Sequence, residues 1–419
     1  LLRLSLFQIS VGMAMVMLVG TLNRVMIVEM GVATSLVSFM VALPLLIAPF
    51  RALIGFQSDH HRSHLGWRRV PYIWMGTLMQ FGGFSIMPFA LLVLSGAGQS
   101  SQAPQWVGQF GAAVAFILVG VGMHTTQTAG LALATDLAPQ DKQAKVVGLM
   151  YVMQLLGMIG SALVMGDLLF EYSPGRLIRV VQAVAVTTLV LNVIAVWKQE
   201  ARSRQRLPDS PLEESFQNSW KVFSEGPHTL RRLLAVGLGS MAFTMEDVLL
   251  EPYGGEILKL SVSSTTLLTA TLALGGLLGF GWASRVISRG ADPYRMASWG
   301  AWVGLPAFIF IILAAPFMSV YLFVLGVFLI GLGGGLFAHG TLTASMNLAP
   351  PDQTGLAMGA WGAVQATASG LGMALGGLLR DGVAQLSNSV TGYSAVYGIE
   401  IVMLILTLLA MKPLLRNSN

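Results

Sequence analysis

The stretch "TLNRVMIVEMG", residues 21–31, carries an arginine and a glutamate at the end of an apolar run that begins near Ser5. A charge at mid-bilayer costs about 2.5–3.5 kcal/mol on the lenient insertion scale, so Arg24 needs a partner or water. Five residues on, Glu29 would sit about 140° around an α-helix from Arg24, and its place near the end of the run predicts a surface carboxylate. The second half of the chain offers other partners. "TMEDVLLEPYG" from Thr244 aligns with the first string and sets Asn23 and Arg24 opposite Glu246 and Asp247. Arg24 paired with either carboxylate could serve as a gate, a proton relay or an anchor for a polar group, or it could simply lock two halves together. His124 and His339 also fall inside apolar runs, the first followed by Thr125, Thr126, Gln127 and Thr128. A neutral imidazole in an apolar wall can act as a ligand, and Thr125 and Gln127 add hydrogen-bond capacity suited to carbonyls. The plainer role is a helix-to-helix hydrogen bond, and threonines in spans commonly bond their own backbone.

The elements that hold these residues follow from composition. The chain is 54% hydrophobic and 10% charged over 419 residues, with a mean hydropathy of +0.71. This is the balance of a protein solvated by lipid. Twelve runs reach the roughly 20 residues a crossing requires, at about 5–28, 32–56, 70–95, 107–135, 145–170, 176–197, 232–256, 264–288, 294–315, 318–347, 354–379 and 393–411. Runs this long and continuously apolar are helices. The loops after spans two, four, six and eight, with both ends of the chain, hold most of the Lys and Arg, whereas the opposite loops hold only Arg176, Arg179, Lys259 and Arg380. The positive-inside rule then puts the N and C termini in the cytoplasm and makes the net charge of +5 a topological signal rather than a nucleic-acid footprint. The first run has span length and no small-residue cleavage site, so no cleavable leader is expected.

A polar stretch separates residues 1–197, the first six spans, from 232–419, the second six. Within 198–231, Ser210, Pro211 and Glu213 form a capping box, and Phe216, Trp220 and Phe223 share one face, predicting a short interfacial helix. The halves repeat: "DLAPQDKQAKVVGLMYVMQ" from Asp136 and "NLAPPDQTGLAMGAWGAVQ" from Asn347 align without a gap. Two six-helix halves related by an axis along the membrane normal form the arrangement of major facilitator transporters. The expected fold is therefore all-α, integral to the membrane and of that superfamily. "GFQSDHHRSHLGWRRVPY" from Gly55 resembles the superfamily's cytoplasmic signature, with Gly55, Asp59, Gly66, Arg68 and Arg69 as its elements. Arg68 and Arg69 are suited to anionic headgroups. It departs from the pattern in its longer spacing between Asp59 and Gly66 and in His60, where an arginine is usual. In the counterpart after span eight, Ala283 replaces Asp59.

Three strings, "TLNRVMIVE", "LIGFQSDHHRSHLGWRRVPYIWMGTLMQFGG" and "HTTQTAGLALATDLAP", resemble the PucC family, a branch of the major facilitator superfamily found in phototrophic bacteria that includes the LhaA proteins. The resemblance covers nearly the whole chain. It implies a role in assembling light-harvesting antenna complexes in the bacterial cytoplasmic membrane and its intracytoplasmic extensions. Bacteriochlorophyll or a related chlorin would be the bound pigment, with His124 or His339 as candidate axial ligand of its magnesium and Thr125 and Gln127 as hydrogen-bond donors to its carbonyls. Antenna polypeptides would be partners, with the reaction-centre core complex a further candidate. The chain has no cysteine, Walker loop, H-E-x-x-H or nucleophile elbow, so no catalysis is expected, and no metal site beyond an axial histidine. Two other readings stay open: a proton-coupled secondary transporter using Glu246 or Asp247, and a pigment-free scaffold for antenna helices. "GLGGG" at 331–335 suits close helix packing or the approach of a flat ring, with packing the plainer use. The 23 methionines read mainly as core and lipid-facing residues.

Overall fold

The computed structural model describes residues 1–46, 66–96, 100, 102–139, 142–200, 229–347 and 354–416. All regular structure in these residues is helical, and we number the long helices in chain order. The first unit holds α1 (Leu6–Glu29), α2 (Thr34–Leu46), α3 (Val70–Leu94), α4 (Gln105–Asp136), α5 (Gln143–Leu168) and α6 (Pro174–Val196). The later helices are α7 (Thr229–Glu256), α8 (Val262–Ile287), α9 (Pro293–Ala314), α10 (Val320–Asn347), α11 (Thr354–Leu386) and α12 (Ser389–Arg416). Ten of the twelve are long and apolar enough to cross a membrane. The other two are α2, whose expected continuation lies outside the described residues, and the 33-residue α11. Gly55, Asp59 and the expected interfacial helix at 210–223 also lie outside them.

Two compact units emerge: Leu1–Gln205 with Glu251–Ala270, and Arg206–Leu250 with Thr271–Asn419. The end of α7 and the start of α8 thus belong with the first six helices. A break in α7 separates its two parts: Thr229–Ala242 is α-helical, Glu246–Val248 makes a single 3₁₀ turn, and Leu250–Glu256 resumes the α-helix. Pro252 accounts for the restart. Proline is tolerated in a helix's first turn, where its missing N–H would have no partner, but not in its interior.

In each unit, glycines let helices meet backbone to backbone. Lipid tails are as apolar as leucine, so helix association here depends on close contact rather than on escape from water. Gly76 of α3 and Gly122 of α4 face one another, and a Cβ on Gly122 would come within 2.5 Å of Gly76 O and 2.8 Å of Gln80 N. Gly157 of α5 lies equally close to α1, where a Cβ would be 2.6 Å from Ile9 Cα. The second unit shows what "GLGGG" is for. A Cβ on Gly331 would be 3.0 Å from Gly276 N, one on Gly335 3.0 Å from Phe280 N, and one on Gly333 2.7 Å from Gly300 O. Gly331 and Gly335 admit α8 and Gly333 admits α9, so the run serves helix packing on two sides.

The winding of α1 departs from what its sequence suggests. It is α-helical over Leu6–Met15, then π-helical over Val16–Leu22 and again over Val25–Glu29. With i→i+5 hydrogen bonding, such as Met30 N to Val25 O at 3.1 Å, each turn takes more residues, so the fifth residue onward lies much nearer the same face than in an α-helix. Arg24 and Glu29 therefore meet. Arg24 Nη1 donates to Glu29 Oε1, and Nη2 donates to Leu260 O at 3.1 Å. This corrects one expectation: Glu29 is not merely a solvated surface group but pairs with Arg24 within the first unit, while Glu246 and Asp247 belong to the second.

Two outcomes follow. Gly122→Val should lower the apparent melting temperature in detergent, reflecting about 1–3 kcal/mol of overpacking, whereas Gly160→Val, whose Cβ meets nothing within 4 Å, should leave it nearly unchanged. Glu29→Gln should destabilise by about 1–3 kcal/mol, less than for a fully buried pair because the Glu29 side chain is 36% exposed and that of Arg24 4%. Adding Arg24→Met should recover part of that loss. Equal melting of the single and double variants would show that the pair contributes nothing.

Candidate functional site

The first unit collects buried polar groups around Arg24. Glu251, 3% exposed, accepts from Thr269 Oγ1, and Arg24 acts on it electrostatically. The guanidinium lies against Gly255, where a Cβ would be 2.9 Å from Nε. Gly20 leaves room for the Glu251 carboxylate and Thr269, and Thr21 and Thr266 hydroxyls hydrogen-bond at 3.1 Å. Tyr172, in the turn before α6, also belongs here: burial raises its phenol above the usual range, Glu29 adds to the rise, and Arg24 opposes it. The cluster can hold and exchange charge. The alignment of the two strings points to Glu246 and Asp247 rather than to Glu251, although Glu251 stands in the same "TMEDVLLEPYG".

The polar run on α4 is committed within the unit. Thr125 donates to Val121 O at 2.8 Å and Thr128 to His124 O at 2.8 Å, the backbone bonding expected of threonine in a span. Gln80 Nε2 on α3 donates to Thr126 at 3.1 Å, and Gln127 Nε2 to Gln154 Oε1 on α5 at 2.9 Å. His124 is buried among them, 8% exposed.

At the start of α3 the signature residues have a defined use. Gly66 adopts φ +81°, a left-handed conformation that favours glycine. The Glu200 carboxylate accepts from the backbone N–H of Arg68 (2.7 Å), Arg69 (3.0 Å) and Val70 (2.9 Å), so it caps α3. Arg68 Nη2 and Arg69 Nε both reach Asp136 Oδ2, at 2.9 and 3.2 Å. The two arginines thus pair with Asp136, the first residue of the repeat, and Arg69 is buried, which corrects its expected role as a headgroup anchor. The second half has Asn347 at the position of Asp136, so the acidic partner is not duplicated.

The second unit brings together three carboxyl groups. Glu246 is 0% exposed and so is Glu400 of α12, and they lie side by side with Asp247 adjoining. Neither glutamate has a hydrogen-bond partner by geometry among the described residues, and no cation stands beside them. Two bare carboxylates cannot both be accommodated so closely away from water, and a shared proton removes the cost. The internal repeat gives no pointer to Glu400, although a lone carboxylate in "YSAVYGIEIVML" is itself a signal of function in a span. Among the described residues, no group of three His, Asp or Glu has the arrangement to hold a metal ion. His339 on α10 packs edge-on against Phe280, with ring centroids 4.3 Å apart, and its buried Nδ1 has no partner among the described residues.

Comparison with known proteins places these clusters in context. The chain is 59% identical to "Protein PucC" of Rhodovulum sulfidophilum over 96% of its own length and 89% of the relative's. It is 26% identical to the "Bacteriochlorophyll synthase 44.5 kDa chain" of Rhodobacter capsulatus, over 96% and 92% of the two chains. Among solved structures it superposes on a bacterial homologue of the human lysosomal transporter Spinster with a TM-score of 0.71 at 15% identity, covering 99% of this chain and 97% of that one. The likeness shows a multi-pass membrane protein with the fold of the major facilitator transporters. The PUCC protein family model matches residues 21–419, and with it the conclusion is direct: the chain belongs to the PUCC family.

Proposed function

We propose that this protein is an assembly factor for photosynthetic light-harvesting complexes that holds bacteriochlorophyll and passes it to antenna polypeptides. Family membership over residues 21–419 carries the reading, and the printed name of the Rhodobacter capsulatus relative adds a link to bacteriochlorophyll. His339 is the residue suited to the pigment. Its imidazole makes no hydrogen bond to a described residue and lies against an aromatic ring in a span, so a nitrogen lone pair is available to a chlorin magnesium. Bound there, the pigment would supply the macrocycle to be delivered, while Phe280 would set the tilt of the ring that ligates it. His124, Thr125 and Gln127 are weaker candidates, because the last two already donate within their own unit. The role is non-catalytic, with both termini and residues 198–231 on the cytoplasmic side of the bacterial inner membrane, in line with the distribution of basic residues.

A specific observation favours a second reading. The buried Glu246, Asp247 and Glu400 cluster gives the transporter fold a place to load a proton, so proton-coupled movement of an amphipathic solute is the alternative. A scaffold that never binds pigment is the third outcome to be tested.

Protein purified in mild detergent from a phototrophic host should carry a near-infrared absorbance band and co-purifying antenna polypeptides. His339→Leu should remove most of the band while leaving the yield of folded protein unchanged. Antenna partners without any band would support the scaffold, and absence of both would overturn the assembly role. In proteoliposomes, wild-type protein and the Glu246→Gln, Glu400→Gln double variant should show equal, background proton uptake. Proton flux in the wild type that the double variant abolishes would instead establish the transporter.

A further inference from the structure

A cavity of about 670 Å³ lies where α3 begins and α6 ends, lined by Trp67, Val70, Trp74, Val193, Val196, Trp197, Lys198, Gln199 and Glu200. It lies within the first unit, and none of its lining residues is invoked above for pigment or protons. Its size is that of a small-molecule site, and its lining is of the matching kind: mostly aromatic and branched apolar walls with a few polar groups at one end. Three of the chain's nine tryptophans converge there. They stand at the ends of the spans Val70–Leu94 and Pro174–Val196, the depth at which indole rings meet lipid headgroups.

The polar end is built and biased positive. Arg3 donates through Nη2 to Trp197 O, and the Gln199 amide, turned oxygen-inward, accepts from Arg3 Nε at 2.9 Å and Nη2 at 2.7 Å. That network pins residues 197–199, and Lys198 takes a left-handed φ of 51°, a costly conformation for a residue with a side chain. Glu200 is occupied, its oxygens accepting from the backbone N–H groups of Arg68, Arg69 and Val70, where the helix N-terminus offsets its charge. Asp136 is held by Arg68 and Arg69. Arg3, Arg68, Arg69 and Lys198 thus stand against Asp136 and Glu200, and Lys198 makes no ion pair with a described residue.

We propose that this cavity is a binding site for an acidic phospholipid, with its phosphate at Lys198 and the upper acyl chains between Trp67, Trp74 and Trp197. The occupant must be amphipathic, because the walls are apolar, and anionic, because among the described residues the uncommitted charge at the rim is the Lys198 cation. The proposal is independent of whether the protein holds pigment.

The test uses the full chain in phosphatidylcholine vesicles that contain either phosphatidylglycerol or phosphatidylcholine with brominated acyl chains, reading tryptophan emission. Brominated phosphatidylglycerol should quench at a lower mole fraction than brominated phosphatidylcholine. Lys198→Gln, on an exposed side chain, should reduce that preference about fivefold, the equivalent of about 1 kcal/mol per basic residue at a membrane surface. Trp74→Phe should lower the amplitude of the preferential quenching. As a second readout, mass spectrometry of the detergent-solubilised protein should find phosphatidylglycerol retained by the wild type and depleted in Lys198→Gln. Equal quenching by the two lipids, or a preference that survives Lys198→Gln, would overturn the proposal. So would displacement of the brominated lipid by a stoichiometric amount of a chlorin carboxylic acid, which would identify a pigment precursor as the occupant.

Discussion

Away from water, a charge in a membrane helix must be neutralised by whatever the fold brings to it, and this condition shapes both units. Arg24 is answered by Glu29 in its own helix and by the carbonyl of Leu260. The π winding of α1 there brings residues five apart toward one face and so puts Glu29 within reach. Around this pair the same unit gathers Glu251 and Tyr172, so one local change of helical pitch organises a polar cluster drawn from α1, the loop before α6, and the α7–α8 segment.

The second unit meets the condition differently. Glu246 and Glu400 are buried side by side, with no cation beside them among the described residues. The two halves descend from one repeat, yet their buried charges have diverged: an arginine and a glutamate in α1, carboxyls alone at the break in α7. Helix packing has diverged much less. Each unit brings helices into backbone contact through small residues, Gly76 with Gly122 in the first and Gly300 with Gly333 in the second. Packing of this kind is what lipid-solvated helices have in place of a hydrophobic drive, so it tolerates little change.

The family assignment and the geometry speak to different parts of function. Membership ties the chain to the PUCC family and one relative is named for bacteriochlorophyll synthase, whereas the fold is one shared with solved transporters. In the second unit His339 lies in a packed helix with a ring nitrogen not engaged by a described group.

Hydropathy alone determined the number and approximate limits of the helices, because lipid imposes length and apolarity on every crossing, and the repeat in the sequence determined that there are two related halves. The quoted strings determined the family. Which charges pair was decided only in three dimensions. An α-helical reading separates Arg24 from Glu29 by about 140°, and no residue type between 16 and 29 announces the π winding that narrows this angle. Glu400 lies 154 positions from Glu246, and Asp136 lies 67 from Arg69, so neither partnership has a local pattern. The use of "GLGGG" depended on which helices came to lie against it, and the tryptophan cavity on two span ends meeting. Sequence fixes what a bilayer demands of each segment separately, while partners distant along the chain are chosen by packing.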